Sequence, residues 1–241
     1  MSNFSAKQAK SLLLWLHVIS SVGWIAMAVV QLTLLTSVLN GPPDDRLLLL
    51  ETALKLEDGI LDPFGITAAY TGVMLSALTP WGFFRHWWVT VKFWLTLIAI
   101  LLGSIFLGRW LEGSIEALRA GHDWSPAPLY LGTGWTLGTL LLMVWLSIAK
   151  PWGRRGAPET RQERAAVKRV EQSQGTWLFV AAMAIPVVEY LSGMDYPLLT
   201  FCTGVGFSVY RSRRLRRVRR ELAAEAAGRT APVGSGAESA S

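Results

Sequence analysis

From Ser11 to Leu39 the chain reads SLLLWLHVISSVGWIAMAVVQLTLLTSVL, without one charged side chain. A helix needs only about 20 apolar residues to cross the roughly 30 Å hydrocarbon layer of a bilayer, so this run is more than sufficient. Three more stretches repeat the pattern: Asp62 to Leu78, Trp87 to Leu107 and Tyr130 to Ala149. They are closed by Thr79-Pro80-Trp81-Gly82, by Arg109 and by Lys150-Pro151-Trp152-Gly153. Of the 241 residues 51% are hydrophobic and 17% charged, whereas a soluble domain carries about 25% charged residues. These stretches predict an all-α fold, a polytopic transmembrane helical bundle of four core spans. Two short hydrophobic segments follow, Trp177 to Leu191 with Pro186 and Glu189 inside, and Tyr196 to Tyr210. They are read as possible spans five and six or as a buried or re-entrant pair.

The organisation expected along the chain is a transmembrane core over 1–150 and a linker or cytoplasmic helix over 151–175. The two short hydrophobic helices occupy 176–211, and a basic helix with a disordered tail from Ala223 occupies 212–241. A signal peptide is the competing reading of the first run, since Lys7 and Lys10 precede it. The run is longer than a signal core and no small-x-small site closes it, so it reads as a retained span. Asp62 and Pro63 suit a cap and first turn for span two. Residues 47–60 form an outer amphipathic helix or lead into that span.

Lysine and arginine sort by side. Lys7 and Lys10 precede span one, Lys150, Arg154 and Arg155 follow span four, and RSRRLRRVRR follows the last segment. Residues 40–61 instead carry Asp44, Asp45, Glu51, Glu57 and Asp58 against Arg46 and Lys55. The positive-inside rule then puts both termini in the cytoplasm. The Arg-rich run reads as contact with anionic lipid headgroups rather than nucleic acid. A single cysteine, Cys202, excludes an intrachain disulfide and any cysteine-built metal cluster. Trp15, Trp24, Trp94, Trp135 and Trp145 read as core filling, and Gly132, Gly134 and Gly138 as a face for close helix contact.

Ionisable groups inside a membrane are costly and mark function by default. His17 and Lys92 stand out. Each lies five or six residues into a span that starts from the inner side, so about 7 to 10 Å deep. If their helices are neighbours they face one cavity. A neutral imidazole suits a haem iron, and the lysine suits either the opposite axial position or a propionate. The structural alternatives are that Lys92 snorkels to the headgroups and that His17 bonds Ser20, Ser21 or a carbonyl on another helix. A His122–Asp123 metal site and an ion path through Glu189 are weaker options, while Gln31 and Asp62 sit near outer ends and need no special role. No phosphate-binding loop, dinucleotide fingerprint, H-E-x-x-H or G-x-S-x-G occurs.

LHVISSVGWIAMAVVQLTLL and WWVTVKFWLTLIAILLG resemble a group of small bacterial integral-membrane proteins of unknown function. These in turn resemble the copper-resistance D proteins and the HemJ-type protoporphyrinogen oxidase. The shared pattern is a Leu-His opening the first span, a tryptophan a few residues on, and a lysine early in a later span. The resemblance covers residues 11–150 and implies a bacterial inner-membrane protein that binds haem b, with His17 as an axial iron ligand and Lys92 as second ligand or propionate partner. HemJ-type proteins continue span one with a Leu-Pro-Arg-Leu-like stretch, where this chain has Val29-Val30-Gln31-Leu32. That departure bears on the oxidase activity more than on haem binding. Three functions stay open: a haem-binding redox protein, a non-enzymatic membrane component or assembly partner, and a small-ion or metal transporter. The sequence names no protein partner.

Overall fold

The computed structural model describes residues 6–78, 86–153, 160–172, 176–192 and 198–230. Its α-helices in chain order are α1 (Ala6–Asn40), α2 (Arg46–Leu56), α3 (Asp62–Leu78), α4 (Trp87–Ile100), α5 (Gly108–Arg119), α6 (Ala127–Ala149), α7 (Arg161–Gln172), α8 (Thr176–Leu191) and α9 (Leu198–Thr230). A π-helical segment, Glu57–Leu61, joins α2 to α3 without a break, and a second, Leu101–Leu107, joins α4 to α5. The described residues therefore make seven continuous helices.

Local chemistry explains where these helices stop. α1 ends where Gly41 donates its N–H to Ser37 O at 2.8 Å and two prolines follow. α6 ends on Lys150, whose φ of 43° and ψ of 50° are left-handed, just before Pro151. α5 closes through Gly121 at φ +68°, with the N–H of His122 bonding Ala117 O at 2.9 Å. His122 thus serves the helix end through its backbone while its side chain is exposed.

The first π segment corrects the expected start of span two. Asp62 does not begin the helix; it lies inside one that already runs from Arg46. Pro63 lacks an N–H and crowds the carbonyl four residues back, and a widened turn immediately before it is one way a helix absorbs that defect. Span three likewise does not close at Arg109 but continues as a helix to Arg119. At the far ends of these long helices Arg119 pairs with Glu51 at 2.7 Å, an exposed bridge worth little by itself.

Among the described residues, three helices are long and apolar enough to cross a membrane: Lys10–Asn40, Trp87–Arg119 and Ala127–Ala149. α3, α8 and α9, which contain the other predicted spans, are not among them. α3 itself is 17 residues long and enclosed by its neighbours. From Asp62 to Ala77 it has no exposed residue, because α1, α4, α8 and α9 surround it. A helix enclosed by helices can use threonine, glycine and alanine where a lipid-facing one uses leucine. Trp24 and Ala28 of α1, Ala68 of α3, Ala99 of α4, and Leu140 and Met143 of α6 form one buried cluster, so these four helices share a core.

The tryptophans contradict the core-filling expectation in four cases of five. Trp24 is 5% exposed, but Trp15, Trp94, Trp135 and Trp145 are each more than half exposed. Facing hydrocarbon costs an indole nothing, so burial is not its only refuge. Of the three glycines of α6, only Gly132 takes a close neighbour, Leu107; Gly134 and Gly138 face open space. α9 is helical to Thr230, into the tail expected to be disordered from Ala223, and packs on α7 through buried Ala166, Val167 and Val170. The expected turn at Gly193-Met194-Asp195 and the tail beyond Thr230 lie outside the described residues.

Candidate functional site

His17 is set by the α1–α3 interface. Along it bulky groups of one helix seat over glycines of the other. A Cβ at Gly23 would lie 2.7 Å from the Phe64 ring, one at Gly65 3.0 Å from Trp24, and one at Gly72 3.1 Å from His17 Cε1. Small residues let the backbones approach, which is how membrane helices gain packing energy. The imidazole therefore lies against the α3 backbone in a place only glycine leaves free.

Two acceptors on α3 fix the ring. Nδ1 is 3.0 Å from Ala68 O and 3.0 Å from Thr71 Oγ1. Thr71 donates its own proton to Thr67 O at 2.6 Å, so its oxygen is left to accept. A carbonyl only accepts, so in the neutral ring the proton is on Nδ1 and Nε2 carries the lone pair. Ser20 and Ser21 do not bond the ring; both hydroxyls reach the His17 carbonyl, at 3.2 and 2.7 Å.

Lys92 is half-buried on α4. Its ammonium donates to Ser147 Oγ on α6 at 2.6 Å, and Ser147 in turn donates to Met143 O at 2.8 Å. α1 and α4 both pack against α3 and α6, which places them opposite each other across the core. His17 is thus tied to α3 and Lys92 to α6. Thr71, Gly72 and Ser147 position them. Sequence reasoning missed these three, and the only hint was the adjacent Thr71-Gly72 pair in span two.

Glu189 has a structural duty. Its carboxylate accepts the N–H groups of Leu199 and Thr200, at 2.5 and 2.8 Å, and so caps the start of α9. No group of three or more His, Cys, Asp or Glu side chains that could hold a metal comes together among the described residues.

A partly open cavity lies elsewhere, toward the C-terminal half of α1. It has about 40 Å³ of space, and Gln31, Glu57, Asp62, Thr133 and Thr136 are its polar lining. Gln31 and Asp62 were expected to have no special role; packing of α1 against the first π segment brings both inward. Glu57 precedes α3 and lies in none of the spanning segments. Its pKa is pushed from 4.5 to about 8, by burial first and then by the charges of Asp62, Asp58 and Glu112.

No family model, no curated protein and no solved structure matches this chain.

Proposed function

We propose that this integral membrane protein binds haem b between α1 and α4 and works as a redox protein of the bacterial inner membrane. In this reading α3 is a fourth crossing and both termini are cytoplasmic, as the lysine and arginine distribution requires. The observation that carries the proposal is the His17 ring. Its proton is directed to Ala68 O and Thr71 Oγ1, which orients the ring and leaves Nε2 with its lone pair. A second acceptor that fixes tautomer and orientation is the usual companion of a metal-binding histidine.

Haem iron, when bound, supplies one-electron transfer between its ferric and ferrous forms. The chain's own residues then have distinct tasks. His17 would offer the Nε2 lone pair to the haem iron, and Thr71 and Ala68 hold its ring. Lys92 supplies either a second donor or a cation for a propionate, and Ser147 holds its ammonium on the α6 side. Trp24, Ala28 and Ala68 exclude water around α1 and α3.

The test is an absorption spectrum, oxidised and dithionite-reduced, of detergent-purified protein expressed with ample haem. A Soret and an alpha band are expected, weakened or shifted in His17→Ala and Lys92→Ala. A featureless spectrum from folded protein rejects the reading.

One set of contacts favours a second reading. Both polar groups are bonded to neighbouring helices, His17 to α3 and Lys92 to α6, as in a clasp that holds a bundle together. The protein would then be a non-enzymatic membrane component. His17→Ala would lower the folded yield and change no chromophore.

A further inference from the structure

Residues of both π segments line the cavity. Glu57 and Leu61 come from the first, and Gly103 and Leu107 from the second. In an α-helix, residues five apart point about 140° away from each other. A π turn bonds residues five apart, and here the Asp62 N–H bonds Glu57 O. Glu57 and Asp62 therefore line one cavity instead of opposite faces, and their charges interact.

No lysine, arginine or histidine is among the lining residues. Glu57 is only 7% exposed. A buried carboxylate without a compensating cation is expensive. An independent sign comes from α6. Thr136 is 6% exposed, its hydroxyl has no hydrogen-bond partner, and it lines the same cavity. Gln31 donates its amide N–H to Ala53 O at 2.8 Å, which leaves the carbonyl oxygen available.

We propose that Glu57 and Asp62, completed by the hydroxyls of Thr133 and Thr136 and the amide oxygen of Gln31, bind a hard divalent cation of the Ca²⁺ or Mg²⁺ kind between the two π segments. The donors are all oxygen, which suits these ions and not copper or zinc. Two carboxylates balance one divalent charge. A water needs about 10 to 15 Å³ of such space, so about 40 Å³ holds an ion with a water beside it. Neutral oxygens supply most of the donors, so the site does not depend on a cluster of acids.

The test does not involve haem, so its failure and failure of the haem reading are separate events. Full-length protein in detergent, stripped with a chelator and dialysed, is titrated calorimetrically with CaCl₂ and with MgCl₂. Saturable binding of one ion per chain is expected for one of the two. The affinity should fall by about tenfold or more in Glu57→Gln, since ligand charge sets affinity at such sites. Thr136→Val, which keeps the shape and removes the hydroxyl, should weaken it less. The bound ion should also raise the melting temperature with its concentration, in wild type only. Absence of saturable binding to monodisperse protein overturns the proposal. So does binding that Glu57→Gln leaves unchanged, or a melting temperature that responds to pH and to neither ion. In that last case a proton alone occupies Glu57.

Discussion

At the residue scale, the informative positions are those where one atom decides what a neighbour can do. Gly72 is such a position. A methyl group there would come within 3.1 Å of His17 Cε1, so Gly72→Ala must push the ring a few tenths of an ångström from its place against the two acceptors. We expect Gly72→Ala to lower the melting temperature, with overpacking costing about 1 to 3 kcal/mol, and to diminish any Soret band as His17→Ala does. Thr71→Val should be milder, because the Ala68 carbonyl still accepts from Nδ1. Glu57 makes a prediction about pH. Its folded-state pKa of about 8 lies above the ordinary 4.5, so between those values the folded protein keeps a proton that the unfolded chain sheds. Its contribution to stability is therefore full below pH 4.5, declines as the pH rises, and is lost by about 8. Melting temperatures of ion-free wild type should fall across that window, and Glu57→Gln should flatten the curve.

At the scale of elements, two long helices each contain one widened turn. α2 with α3, and α4 with α5, run unbroken through Glu57–Leu61 and Leu101–Leu107. In the first the cause is readable after the fact: Pro63 stands inside a helix, and the extra residue accommodates it. The second contains Gly103 and Ser104, a pairing that tolerates such distortion. α6 offers a comparison within one helix. Gly132 sits against Leu107, whereas a Cβ at Gly134 would meet nothing within 4 Å. Gly132→Ala should destabilise the protein by about 1 to 3 kcal/mol. Gly134→Ala should be neutral or stabilise by up to about 1 kcal/mol through helix propensity. Thermal melts in a common detergent compare the two, and equal effects would contradict the packing assigned to α6.

At the scale of the whole molecule, apolar side chains cover much of the outside, among them Trp15, Val22, Leu131, Trp135 and Ile148. Such a surface belongs in a bilayer. The orientation of the bundle in that bilayer rests on the arginines and lysines. In a Cys202→Ser background, cysteines at Gln8 and Ser212 should be protected from a membrane-impermeant maleimide in intact cells, and one at Asp123 should be labelled. Labelling at Gln8 or Ser212 would invert the topology proposed above.

The sequence by itself determined that the chain is helical and belongs in a membrane, because the bilayer tests every residue of a segment in the same way. Runs such as Ser11 to Leu39 satisfy that test residue by residue. It also singled out His17 and Lys92, since a polar group inside an apolar run needs no fold to be noticed. Only the tertiary structure decided what those groups touch: α3 for His17 and Ser147 on α6 for Lys92. It alone turned Glu189 into a helix cap and four of the deeper tryptophans outward. Glu57 was one acidic residue among several in a charged stretch until the widened turn aimed it at the cavity with Asp62. These outcomes depend on which helix lies against which and at what rotation. Packing between segments distant in sequence sets both, and no local pattern of residues records them.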